Sequence, residues 1–445
     1  MNRVTSSFVP LPLSRLVGIC GVAIAIGCGG GEACPIGQEP ARPQDPGPPG
    51  PTLGEVTTET PFVLAGTEVE ITWTTDADTT VTVSPQPARM EEATSRQLPR
   101  AVVVPTETTT YTVTATRNGK STSKSVVVTV LPGIATDIVV NHVVCDAARG
   151  KLVASVPSAD PTLGNRLVVV DPITGAVDRS IPIGSEPGEM ALSDDGTTLW
   201  VAIDGASSFR KVDLRNDTAG PLVPLPTDSA GVYYVEQMLA LEGSTSAVAI
   251  TYAIKNRSPA RAGTAVFDDG VARPKALRDR GGSLLARGST ASELIGRTTV
   301  PGSGYGLARF VVDATGIVMG PAPTKGTGSN DTVRFVRAGN RLLFADGQAY
   351  DATTFAQLGT YVLQYGKAIA ADPSNGTVYR SSETGAIRSF DAETLAAKGN
   401  WAISKVDFTK IVACGEGVAV VGTRRRLMEQ TYLPRLTLVP KAGIR

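Results

Sequence analysis

One histidine serves the whole 445-residue chain, and that scarcity removes much chemistry. His142 alone cannot build the common zinc sites that use two or three imidazoles, nor any mechanism that needs a pair of them. The chain also lacks net charge: Lys plus Arg and Asp plus Glu number 42 each. No basic field is therefore available to hold a nucleic-acid backbone, and no nucleic-acid partner is expected. Arg424-Arg425-Arg426 is the one basic run and reads as a solvated turn. No Gly-rich phosphate loop and no Gly-x-Ser-x-Gly elbow stands in a strand-to-helix context. The apolar stretch Leu16–Gly27 has only 12 residues, against about 18 or more for a transmembrane helix. Cysteine is sparse, with Cys20, Cys28, Cys34, Cys145 and Cys414 in the chain.

What is present begins with Cys28. Arg3 and Arg15 precede the short apolar stretch, no acidic residue interrupts it, and Ala25-Ile26-Gly27 leads into the cysteine. A basic segment, a short apolar segment and small residues before a cut are the parts of a secretory signal. With cysteine at the cut, this resembles a bacterial lipoprotein signal, with Ala25 where the family more often carries Leu. The resemblance implies that residues 1–27 are removed and that Cys28 becomes the acylated N-terminus. Its partner is then a lipid bilayer, held at about 0.8 kcal/mol per buried methylene. Gly29, rather than Asp, after the cysteine implies the outer membrane, facing periplasm or cell surface.

Residues 28–54 are rich in Gly and Pro, with a PGPPGP run. Such a composition cannot bury apolar surface and reads as a disordered tether. Residues 55–132 change character. Val69, Ile71 and Trp73 alternate with polar residues, as do Tyr111, Val113 and Ala115, the period of half-buried strands. Ala65-Gly66-Thr67 leading into Ile71-Thr72-Trp73, then Thr108-Thr109-Thr110-Tyr111 before a final hairpin, resembles a bacterial immunoglobulin-like domain. That likeness implies a β-sandwich with Trp73 buried, without the inter-sheet disulfide, and a role as spacer or adhesive unit.

Residues 134–445 repeat internally. A strand closing on aspartate recurs at Asp171, Asp213, Asp268, Asp313, Asp351 and Asp391, spaced 42, 55, 45, 38 and 40 residues apart. Leu436-Thr437-Leu438-Val439-Pro440 reads as a further copy with proline in place of aspartate. Each copy is preceded by a polar turn entering an apolar strand, as in Asp195-Gly196-Thr197-Thr198-Leu199-Trp200 and Asn375-Gly376-Thr377-Val378-Tyr379. Two elements in register at that period point to four-stranded blades of a propeller, expected to number seven. The text LVVVDPITGAVDRSIPIGSEPGEMALSDDGTTLWVA, from Leu167 to Ala202, resembles the YVTN family of propellers; the likeness fades between residues 225 and 335. Either a strand near residue 134 completes the last blade, or that blade keeps three strands. The fold class is thus all-β: an immunoglobulin-like sandwich followed by a propeller.

The repeated aspartates precede turns, where a carboxylate accepts backbone N–H bonds and fixes the corner. Ile138–Val144 reads as the innermost strand of the first blade, which would bring His142 to the central channel. Asn141, Glu189 and Glu236 lie near inner strands and are the other candidates to line it. Cys145 and Cys414 close the inner strands of the first and last blades. Ring closure makes those blades neighbours, so a disulfide is expected between them. No cofactor-attachment motif, no catalytic residue and no metal set emerges. The reading is a membrane-anchored scaffold or binding lipoprotein with an envelope protein or glycan as partner. The alternative is a lactonase-type propeller hydrolase with a metal held by channel carboxylates.

Overall fold

Alternating Val, Ile, Tyr and Thr, punctuated by Gly, Asn and Asp, can satisfy its backbone only by pairing strands. The structure, a computed structural model, describes residues 48–445 except 95–96, 227–230, 258–260, 279–282, 301–303, 321–324, 327–332, 363–365, 383–384, 405, 425–432 and 445. The expected signal, Cys28, Cys34 and most of the expected tether therefore lie outside the described residues, as do Arg425 and Arg426. What is described is all-β, relieved by two single turns of 3-10 helix at Asp204–Ala206 and Lys441–Gly443.

The first part is two sheets around one core. One sheet orders Phe62–Leu64, Lys120–Leu131, Thr109–Arg117 and Thr80–Ser84, and the other orders Val69–Thr72, Arg100–Val103 and Arg89–Glu91. Val69, Ile71, Trp73, Tyr111, Val113 and Ala115 all face inward, into a single cluster. On the outer face, hydroxyls pair straight across the strands: Thr112 with Ser125, Thr114 with Ser123 and Thr116 with Ser121. The period of two decides which face meets water.

Residues 134–445 form seven antiparallel sheets of four or five strands among the described residues. Their first strands are His142–Asp146, Pro187–Leu192, Tyr233–Ala240, Ser283–Arg287, Phe335–Ala338, Ile369–Asp372 and Val406–Cys414. Each neighbours the next, and the last neighbours the first, so the seven close a ring. Second strands such as Thr198–Ile203 and Ala247–Ile254 are buried along their whole length, because an adjacent sheet covers each face. Trp200, Phe209, Tyr252 and Phe267 fill the space between the second and third sheets. Each such side chain contributes about 1.5–3 kcal/mol by leaving water.

The run 138–144 is not one inner strand. Ile134–Val139 is the outer strand of the seventh sheet, paired with Pro434–Pro440, and His142–Asp146 opens the first. The chain breaks at Asn141, whose N–H bonds Ser155 O at 2.9 Å. An N-terminal strand thus completes the sheet begun by the C-terminal residues. The repeat fades between residues 225 and 335 for a physical reason: strands there lengthen to eight or ten residues, as in Arg261–Asp268 and Gly304–Asp313. Longer strands displace the turn residues that carry the pattern.

The sandwich packs directly on the ring, and residues from Gly50 onward form one compact unit. Leu64 joins Trp401, Phe408 and Ile444 in one apolar cluster. Trp401 Nε1–H donates to Pro132 O at 3.0 Å, and Ser404 N–H to Phe62 O at 3.0 Å.

Candidate functional site

Five of the six repeated aspartates are corner caps. Asp171 Oδ1 accepts the N–H groups of Ile173 and Thr174, Asp351 those of Thr353 and Thr354, and Asp391 those of Glu393 and Thr394. Asp213 and Asp313 accept from Arg215 and Thr315. These donors hold the Asp171 and Asp391 carboxyls well below the usual range. Asp268 differs, since it takes both Nε and Nη2 of Arg273 at 2.7 and 2.8 Å.

The chemistry gathers instead along the first strands. By pairing register, one position recurs in, or just before, each of them: His142, Glu189, Gln237, Leu285, Arg334, Ala368 and Lys410. All but Ala368 line a central cavity of about 760 Å³. Register shifts between Pro187 and Met190, Val235 and Gln237, Ser283 and Ala286, and Phe408 and Lys410 recur in four of these strands. A bulge re-aims a side chain, and in these four sheets it brings one residue to the belt that His142 and Arg334 reach without one.

Two of the expected residues meet there. His142 Nε2 lies 2.7 Å from Glu189 Oε2, and Lys410 Nζ lies 3.6 Å from Glu189 Oε1. His142 is 5% exposed, and its Nδ1 has no hydrogen-bond partner among the described residues. Burial pushes the Glu189 carboxyl up to about 7, which nearby Arg334 opposes. Burial likewise pushes the Lys410 ammonium down to about 7. Their mutual attraction works against both displacements.

Asn141 and Glu236, expected to line the channel, do not line this cavity. Asn141 Nδ2 donates to Pro187 O at 2.9 Å, tying the first sheet to the second. Glu236 falls in the bulge, and its neighbour Gln237 takes the belt position. The Gln237 amide then bonds the backbone of Leu285, donating to its O at 2.9 Å and accepting from its N–H at 2.6 Å.

Gln237, Arg334 and Lys410 are belt residues that sequence reasoning missed. The signal was available: each stands at the same offset before the polar turn as His142 and Glu189. Asp204 was missed as well. Burial pushes its carboxyl up to about 6, opposed by Lys255 and aided by Glu189 and Glu186. Its Oδ2 occupies the space left by Gly188, where a Cβ would come within 2.6 Å of it.

Cys145 and Cys414 are joined by a disulfide with Cα atoms 5.3 Å apart, between the first and seventh sheets. Among the described residues, no group of three or more His, Cys, Asp or Glu could hold a metal ion. The cavity is cationic instead: Arg287, Arg334, Arg337 and Lys410 face one carboxylate, Glu189.

No protein-family model matches the chain, and no curated protein matches it in sequence. Solved structures do resemble it. The β-propeller domain of Cps50 (Swd1) from Myceliophteria thermophila superposes with a TM-score of 0.51 at 13% identity, covering 69% of this chain and 97% of that one. Hydrazine synthase of Kuenenia stuttgartiensis gives a TM-score of 0.49 at 12% identity, covering 70% of this chain and 98% of that one. The closed ring of antiparallel sheets and the first of these likenesses define a β-propeller fold.

Proposed function

We propose that the protein is an outer-membrane lipoprotein anchored through acylated Cys28, in which an immunoglobulin-like module carries a seven-bladed propeller that binds an envelope protein or glycan. Each of the seven sheets is then one blade, and the Cys145–Cys414 bond staples the ring at its seam. The observation that carries the binding role is the belt. Strand ends, turns and corner aspartates repeat from sheet to sheet, while the belt holds His, Glu, Gln, Leu, Arg, Ala and Lys. Scaffold positions repeat; a recognition surface does not. The cationic lining, with a single carboxylate, favours binding over a metal-dependent hydrolysis that needs several. The sandwich, packed through Leu64 and Trp401, acts as a stiff spacer above the tether.

Cross-linking in intact envelopes tests this reading. The wild type is expected to capture a defined partner that the Arg334→Met, Lys410→Met double variant loses, while both remain in the membrane fraction. Identical cross-links from both proteins would exclude the channel as the binding place.

A further inference from the structure

The belt has the makings of a site for a particular kind of small molecule. Its volume, about 760 Å³, suits a small ligand, or a single protruding group of a larger partner, but not a whole folded domain. Its walls mix polar and apolar surface, and the part-exposed apolar side chains among the lining residues include Val144, Val336 and Val412. Its charges are unbalanced. Arg287 is already paired with Asp194 at 2.6 Å, and Arg337 donates to the backbone carbonyls of Gly339 and Arg287. That leaves Arg334 and Lys410. Among the described residues no carboxylate forms a close ion pair with Arg334, although Glu189 feels its charge, and Lys410 has only Glu189, at 3.6 Å.

Glu189 is itself engaged by His142, so one carboxylate faces both Arg334 and Lys410 and cannot neutralise the two. Burial lowers the Lys410 ammonium to about 7, and an anion bound beside it would favour its charged form. A ring of cationic side chains around a constriction selects anions, and guanidinium suits a carboxylate in particular.

We propose that the channel binds a small organic anion: a carboxylate whose charge meets Lys410 and Arg334 and whose apolar body rests on the part-exposed valines of the wall, Val144, Val336 and Val412. Recognition needs both parts. A bare inorganic anion would leave the apolar wall wet, and a neutral molecule would leave two cations without a counter-charge. This inference holds whether or not Cys28 is acylated.

Calorimetric titration of the full-length protein with benzoate, benzyl alcohol and benzylammonium tests it. These probes share a ring and differ in charge. Benzoate is expected to bind about tenfold or more tightly than either of the others. Lys410→Met and Arg334→Met should each weaken benzoate about tenfold and leave benzyl alcohol unchanged. Glu189→Gln should tighten benzoate several-fold, a gain that a misfolded variant cannot produce. Equal binding of benzoate and benzyl alcohol, no binding of millimolar benzoate, or benzoate affinity unmoved by all three variants would each overturn the proposal.

Discussion

Nε2 of His142 and Oε2 of Glu189 stand 2.7 Å apart, which ties the first strand of the first sheet to that of the second. The contact lies inside the ring, where His142 is buried and Glu189 is largely withdrawn from solvent, so ionisation is costly. The belt's protonation is therefore coupled to the fold.

Stability should pass through a shallow minimum near neutral pH. Glu189 rises from 4.5 to about 7, so the folded chain holds its proton longer than the unfolded one. Stability then falls as pH rises from about 4.5 to about 7. Lys410 drops from 10.5 to about 7, so stability is lost as pH falls through that upper window. His142, Arg334 and Asp204 face the same pair, and Asp204, raised from 3.8 to about 6, adds to the acid-side slope. Each of the two main groups contributes about 1–3 kcal/mol across its window. Urea denaturation from pH 4 to pH 10 should show Glu189→Gln flattening the lower limb and Lys410→Met the upper.

Reduction should loosen the ring. The Cys145–Cys414 bond spans a sequence separation of 269, and the chain-entropy model assigns about 5 kcal/mol to so long a loop, with measured losses of about 2–5. Cys414→Ser is expected to lower the melting temperature. In the wild type, peptide mapping should find Cys145 and Cys414 alkylated only after reduction.

The sandwich should unfold with the propeller rather than before it. Leu64→Ala removes a side chain only 1% exposed from the shared cluster and should cost about 2–5 kcal/mol. Trp401→Phe deletes the bond to Pro132 O and should cost about 1 kcal/mol. Calorimetry is expected to show one transition in the wild type and two in Leu64→Ala.

Gly188 should matter through Asp204. Gly188→Ala places a methyl within 2.6 Å of Asp204 Oδ2 and should destabilise by about 1–3 kcal/mol. Pairing it with Asp204→Ala should recover most of that loss in a double-mutant cycle. Additive losses in thermal denaturation would show that the two do not meet.

Local signals were legible in the sequence and register was not. Asp171, Asp351 and Asp391 fix their corners with residues two and three positions on, so short-range pattern identifies them. Val69, Ile71 and Trp73 were likewise readable, because alternation sets the buried face directly. The belt depends on bulges. One extra residue between Val235 and Gln237 moves Gln237 rather than Glu236 to the belt, and strict alternation cannot foresee it. Lys410 and Arg334 stand at the same offset before their turns as His142 and Glu189, so their belt position was readable, but their charge acquires a role only when sheets distant in sequence close into a ring. Asn141 looked like an inner-strand residue, yet it sits where the chain passes from the seventh sheet to the first.

Acylation of Cys28 would decide what the propeller is for, and intact-mass analysis of the protein extracted from membranes reads it out. The mature chain is expected to start at Cys28, to carry acyl chains on that residue, and to be lost from the membrane in Cys28→Ala. A chain that begins elsewhere, or an unacylated Cys28 in a protein released to the soluble fraction, would contradict it.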